Sequence, residues 1–274
     1  MSIDLEPDQD RQAADVPRRR GDLGRTLVRG VGQTLITFGL ICLLFVVYEV
    51  WVTDIFAARA QDQLSQQIHQ QWSDDPTVAA PTPAPAGAPF TPAAIDVTIG
   101  DPFAVLHIPR LAGGAGFPRV VVEGTSQVQL AQGPGHYLGT AVPGQQGNAA
   151  FAGHRVGRGS PFLDLDKLRP GDPIVVETGD AWFVYRVLGD PATGDFSTDP
   201  SGIPGREIVL PTALSVIAPT PGGPTGGPAT GAYLTLTTCH PKFSARQRMV
   251  IHARLDGPPL SRASAPNGPA ALEG

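Results

Sequence analysis

Between residues 101 and 256 the chain alternates short runs of β-branched and aromatic residues with turns that carry glycine and proline. About eight such runs stand out: "FAVLHI", "RVVVEG", "NAAFAGH", "PIVVET", "AWFVYRVL", "REIVL", "AYLTLTTC" and "RMVIHARL". In the last two, apolar positions recur every second residue, the period of a strand with one face in a core. "PIVVETGDAWFVYRVL" sets Gly179-Asp180 between two runs, a strong hairpin signal. Only "SPFLDLDKL" (160–168) and, more weakly, "TSQVQLAQG" (125–133) read as helical turns. Asp101-Pro102-Phe103 reads as the start of the first strand, because an aliphatic run comes directly after it. Many strands with almost no helix predict an all-β fold, a closed eight-stranded β-barrel with short helices over residues 101–256.

Upstream the pattern changes. Residues 33–52 contain a single charge, Glu49, and about twenty such residues cross a bilayer as a helix. Arg18, Arg19, Arg20, Arg25 and Arg29 precede this run, and the first charge beyond it is Asp54. That asymmetry predicts a single-pass cell-membrane protein with a cytoplasmic N-terminus and everything after residue 52 outside. "ARA" at 58–60 offers a competing reading as a signal-peptide cleavage site, but the apolar run is longer than a usual signal core. Residues 1–32 are polar and poor in aliphatics, and disorder is expected there. Over 53–72, Phe56, Ala60, Leu64, Ile68 and Trp72 recur every fourth residue, which suggests an amphipathic stalk continuing outward, with a possible self-association stripe. Residues 73–100 form a linker, proline- and alanine-rich over 73–94, expected to be extended and to hold the β-rich region away from the bilayer. Residues 218–231 read as a long mobile loop, and the tail 257–274 as disordered.

Composition adds two constraints. Glycine and proline account for 33 and 29 of the 274 residues, consistent with a turn-rich β fold flanked by linkers. The net charge is −5 and no basic run with interleaved aromatics occurs beyond the N-terminus, so nucleic acid is not an expected partner. No metal site is evident, and no cofactor is expected.

The candidate chemistry centres on "YLTLTTCHP", residues 233–241. The chain has two cysteines, Cys42 inside the apolar run and Cys239 far beyond it, so they do not pair. An exported protein that keeps a lone thiol suggests use of that thiol, although a small buried cysteine acting as a hydrophobe is the plain alternative. Strand alternation places Leu234, Leu236 and Thr238 on one face and Tyr233, Thr235, Thr237 and Cys239 on the other. With the leucines in the core, Cys239 is expected to point outward onto a polar wall. A thiol needs a base or a cation beside it to act as a nucleophile at neutral pH. His69, His107, His136, His240 and His252 are less well placed than His154, which ends the small-residue run "AAFAGH" at a strand-to-loop boundary. In "RQRMVIHARL" the apolar set Met249, Ile251, Ala253 and Leu255 faces inward, so Arg248 faces outward. If this strand pairs antiparallel with 233–239, Arg248 comes up beside Cys239, able to donate to a developing oxyanion. A solvated surface charge is the alternative for any one such arginine.

"LTLTTCHP", "AAFAGHR" and "QRMVIHA" together resemble the three signature segments of the sortases, membrane-anchored cysteine transpeptidases. With "GPGHYLGT" before "GQQGNAAFAGHR", the chain is most similar to the class E sortases of actinobacteria, a source its alanine, glycine and proline content also fits. The resemblance implies Cys239 as nucleophile, His154 as general acid and base, and Arg248 as oxyanion or backbone ligand. It further implies Thr237 and Thr238 in the pocket wall and Tyr137 in substrate selection. The implied reaction cleaves an LPXTG- or LAXTG-like C-terminal sorting signal between threonine and glycine through a thioester. The secreted protein bearing that signal is then joined to a peptidoglycan precursor or another amine acceptor. Membrane lipid around the N-terminal helix is the remaining implied partner. A pilin-type sortase, whose class often carries an Asp-Pro-aromatic lid, a thiol endopeptidase without transfer activity, and a non-catalytic wall-protein-binding barrel are the alternatives.

Overall fold

The structure, a computed structural model, describes residues 21–48, 53–75, 78, 90–112, 117–197 and 199–273. It divides into two units that meet in sequence after Tyr48. The first contains helix α1, Gly21–Val47. At 1.5 Å per residue this helix is about 40 Å long, and its stretch Gly24–Val47 is long and apolar enough to cross a membrane. Disorder was expected over 1–32, but residues 21–32 are helical. An established helix extends cheaply through residues such as Leu27 and Arg29, because no new nucleus is needed. Residues 1–20 and 49–52, the latter the end of the expected span, lie outside the described residues.

The second unit holds helix α2 (Thr53–Asp74) and ten strands. These are β1 Pro102–His107, β2 Arg119–Glu123, β3 Gly135–His136, β4 Gly147–Ala152, β5 Pro173–Glu177, β6 Ala181–Val187, β7 Arg206–Val209, β8 Ala232–His240, β9 Gln247–Leu255 and β10 Leu260–Ser261. All eight expected runs are strands; β3 and β10 are two-residue additions. The sheet runs β10-β6-β5-β1-β2-β3-β4-β8-β9-β7, and a further β6–β9 pairing closes it into a barrel. The predicted hairpin is β5–β6, with Glu177 opposite Trp182. Residues 127–130 form a single helical turn, α3, capped by the Ser126 hydroxyl, and residues 165–167 form a 3₁₀ turn. Pro102 and Phe103 open β1 as expected. Inside the barrel Phe151, Phe162, Phe183, Leu234, Leu236 and Ile251 interdigitate in one core.

Three peripheral expectations are corrected. Helix α2 does not project as a free stalk: it lies on the barrel, with Leu64 and Ile68 packed against Val105, Val120 and Val122. Burying those two side chains contributes roughly 3–6 kcal/mol, an upper range for full burial. Gln61 seals the join by accepting from the Val120 N–H at 2.8 Å and donating to the carbonyls of Val120 and Gln132 at 3.1 and 2.7 Å. The stripe read as a self-association surface is therefore largely spent inside the chain. Second, the tail 257–274 is ordered across its described residues. Leu260 and Ser261 pair with Trp182 and Ala181, the Trp182 indole donates to the Ala265 carbonyl at 3.0 Å, and Arg262 donates to the Gly179 carbonyl at 2.8 Å. Third, the end of the linker is attached. Phe90 and Ile95 pack on the core, and the Ala93 N–H donates to Asp180 at 2.6 Å. Most of the proline-rich stretch, residues 76–77 and 79–89, lies outside the described residues. The segment 218–231 is a loop as expected, folded back on itself by a hydrogen bond from the Thr230 N–H to the Thr220 hydroxyl at 3.0 Å.

Candidate active site

Two ladders position the site. Strands β4 and β8 run parallel, from Gly147 opposite Ala232 to Ala152 opposite Thr237. The Gly153 N–H carries the ladder one step on by donating to the Thr237 carbonyl at 3.1 Å. Parallel strands keep their register, so His154 and Cys239, each two residues beyond the last pair, come level on strands about 4.8 Å apart. On the other side β8 pairs antiparallel with β9, and Cys239 lies directly opposite Arg248. The ladder runs one pair further, to His240 opposite Gln247, and ends because Pro241 has no N–H to donate. Glycine at 153 is a steric requirement: a Cβ would stand 2.6 Å from the ring of Phe162.

Alternation sorts the side chains of this sheet face into rows. In the first, the Thr235 hydroxyl donates to the Asn148 side-chain carbonyl at 2.7 Å and lies 2.9 Å from Nδ1 of His252. In the second, the Tyr137 and Thr237 hydroxyls share a hydrogen bond of 2.9 Å. The last row is set by Cys239 opposite Arg248, with His154 brought level by the β4–β8 register. The open polar wall expected along this face is not found: Tyr233, Thr235 and Thr237 are buried. The 3₁₀ segment Leu214–Ile217 and Ala218 cover the first row, with Asn148 Nδ2 donating to the carbonyls of Val216 and Ala218 at 3.1 and 3.0 Å. Tyr137 covers the second. Only the last row is half open, and the thiol sits in it as a free cysteine.

His154 is half-buried, and its Nε2 is buried with no hydrogen-bond partner. Burial, and secondarily the positive charge of Arg158, hold its pKa below the ordinary 6.5. The loop behind it is closed by the Phe162 N–H donating to the His154 carbonyl at 3.1 Å. Residues 157–160 all have positive φ, which Gly157 and Gly159 accept without a Cβ penalty. Arg248 directs Nη1 onto its own turn, donating to the carbonyls of Ala245 and Gln247 at 3.0 and 3.1 Å, which fixes its guanidinium beside the strand end. Thr238, on the leucine side of β8, is buried and donates to the Gly153 carbonyl at 2.8 Å. It thereby ties the cysteine strand to the histidine strand.

Two contributors went unread in the sequence. Arg155, only 4% exposed, donates from Nη1 to Nδ1 of His240 at 3.0 Å and from Nη2 to Asp166 at 2.9 Å, with Nη1 3.5 Å from the Cys239 carbonyl. A guanidinium only donates, so Nδ1 of His240 is the acceptor of this bond. The signal was present as the arginine closing "AGHR", but nothing local says that it turns inward. The second is the buried pair beneath Tyr137: His136 contacts Glu123 at 2.5 Å through Nδ1 and the Ala141 carbonyl at 3.0 Å through Nε2. It anchors the loop that presents the phenol. Among the described residues no group of three or more His, Cys, Asp or Glu is placed to hold a metal ion.

The Sortase domain family model matches residues 106–256, more than half of the chain. The chain belongs to the sortase family. Sortases are cysteine transpeptidases, and the relatives place this sortase with class E. It is 32% identical over 246 residues to Sortase SrtE2 of Streptomyces coelicolor, covering 87% of this chain and 85% of that one. Among solved structures, the SrtF sortase of Corynebacterium diphtheriae superposes with a TM-score of 0.59 at 38% identity, covering 67% of this chain and 97% of the other. Sortase E1 of Streptomyces coelicolor, solved with a tripeptide in its active site, gives a TM-score of 0.50 at 33% identity and covers 65% and 99%. The barrel, its few short helices and the N-terminal apolar helix agree with this membership.

Proposed function

We propose that this sortase cleaves a C-terminal LPXTG- or LAXTG-like sorting signal between threonine and glycine and transfers the protein to a cell-wall amine. What supports the reading is the register, which sets Cys239 opposite Arg248 and carries His154 and Cys239 to the ends of neighbouring parallel strands. The Cys239 thiol gives its proton to His154, the sulfur attacks the threonine carbonyl, and Arg248 donates to the oxygen as negative charge develops there. As the tetrahedral intermediate collapses, the carbon–nitrogen bond to glycine breaks and protonated His154 gives its proton to the departing amine. The thioester is resolved when an acceptor amine attacks, neutral His154 takes that amine's proton, and the Cys239 sulfur leaves. The unpartnered Nε2 of His154 fits a group that meets its proton partner only when substrate arrives.

Tyr137 and Thr237, joined hydroxyl to hydroxyl, wall the cleft and meet the signal's second residue, while Thr238 holds the two strand ends together. The tripeptide in the active site of Sortase E1 supports a short peptide as occupant. The apolar helix anchors the enzyme with its N-terminus in the cytoplasm and the barrel outside, where a peptidoglycan precursor supplies the amine.

The test uses a fluorogenic sorting peptide with and without a glycine-based amine. Cys239→Ala is expected to abolish the acyl-enzyme seen by mass spectrometry. His154→Ala and Arg248→Ala should each lower kcat/KM by two or more orders of magnitude with the fold intact. Turnover by Cys239→Ala overturns the assignment, and cleavage that never yields ligated product reduces the enzyme to an endopeptidase.

A further inference from the structure

The face of the barrel that carries the start of α2 has a use beyond holding the helix. Ile55 and Phe56 on the first turn of α2 are 51% and 60% exposed, and Val128 on α3 is 67% exposed. Phe56 and Val128, together with Ala57, Ala60 and Ala131, line an apolar groove of about 540 Å³ whose polar edge includes Arg158. Arg59, one residue from the groove wall, is likewise exposed. The acid in the neighbourhood, Asp54, accepts from the Gly159 N–H at 2.8 Å. Exposed apolar surface rimmed by cations is costly in water and suits an anionic lipid interface.

Sequence distance supplies the occupant. Only residues 49–52 lie between Tyr48, at the end of the apolar helix, and Thr53, the first residue of α2. Five peptide steps reach at most about 18 Å, so the groove, built on the first two turns of α2, cannot stand far from wherever that helix leaves the bilayer. We propose that Ile55, Phe56 and Val128 seat in the boundary between headgroups and acyl chains, with Arg59 and Arg158 against anionic headgroups. The barrel is then held against the membrane by a defined face, with the loop after His154 beside the lipid. This rests on the reading of the apolar helix as a membrane anchor.

The test uses the full chain, with Cys42→Ala and Cys239→Ala as background, reconstituted in vesicles of anionic or zwitterionic lipid. Single cysteines at Leu44, Val128 and Ser201 carry a bimane label, and nitroxide lipids quench from the headgroup level or from deeper in the acyl region. The Val128 label is expected to lose fluorescence to shallow nitroxides, consistent with insertion of about 5–10 Å, and to lose more in anionic vesicles. Ser201, exposed on the turn before β7 and outside the groove lining, serves as the unquenched control. A quenched Leu44 with an unquenched Val128 overturns the proposal and spares the anchor; an unquenched Leu44 overturns the anchor and the proposal with it. Shielding of the Val128 label that appears only as protein density rises marks a second copy as the occupant and also overturns it. Phe56→Asp with Val128→Asp should abolish headgroup-level quenching of a label at Ile55 while leaving Leu44 quenched.

Discussion

Replacing Arg155 by methionine separates positioning from stability. The substitution removes the guanidinium but keeps an unbranched stem in a site that is 4% exposed. Lost are the charge-assisted hydrogen bond to His240 at 3.0 Å, about 1.5–3 kcal/mol, and the pair with half-exposed Asp166, at most about 1 kcal/mol. Gained is relief of the buried, unpartnered Nε, about 1–3 kcal/mol. These nearly cancel, so the unfolding free energy in urea should move by no more than about 1–2 kcal/mol. Catalysis has no such compensation. The carbonyl of Cys239 and the ring of His240 lose their common tether to the histidine strand, and a displacement on the order of 1 Å at a reacting group costs about 100-fold. The expected result is kcat/KM for the sorting peptide down about 100-fold in a protein that unfolds nearly as wild type does. Arg155→Lys should not restore it, because one ammonium cannot reach His240 and Asp166 in the same fork geometry. Wild-type kcat/KM in the methionine variant, or a loss matched by the unfolded fraction, refutes the reasoning.

The depressed pKa of His154 sets two pH signs. Between that depressed value and 6.5 the unfolded chain binds a proton that the folded chain refuses, so this group makes stability fall as pH drops through that window; His154→Gln should flatten the urea midpoint there. Arg158→Gln removes the smaller cause and should shift the acid limb of the rate profile upward, still below 6.5 because burial remains, and an unmoved limb denies the charge its role. Gln61→Ala deletes three hydrogen bonds to backbone groups of 120 and 132, at about 1 kcal/mol each; a thermal scan should show Tm lower by roughly 6–12 °C, and an unchanged Tm would mean α2 is not held as described. Tyr137→Phe and Thr237→Val should each reduce kcat/KM by about 2–10-fold, and the double variant by no more than the larger single effect, since the two hydroxyls serve one bond.

Helix α2 shows how far a local pattern reaches. The stripe of Leu64 and Ile68 announces a helix with one apolar side, but whether that side meets a second chain or the barrel depends on Val105, Val120 and Val122, placed by strands β1 and β2 far along the chain. The tail after Gly257 carries no hydrophobic period at all, and its order comes from single contacts such as the Ala265 carbonyl on the indole of Trp182. Arg155 reads as a surface charge until Asp166 and His240 close around it.

The sequence alone determined the strands, through their alternation and turn residues, and pointed to the proposed chemistry, through a thiol, an imidazole and a guanidinium each at the end of a recognisable strand. Those are local properties, written in the spacing of neighbouring side chains. Only the tertiary structure decided that one sheet face is roofed over by Tyr137 and residues 214–218, leaving a single open row. It alone decided, too, that Arg155 turns inward to hold that row's end. Both are meetings of residues many positions apart, brought together by register and barrel closure, and no local pattern of polar and apolar positions encodes which distant segment will cover which face.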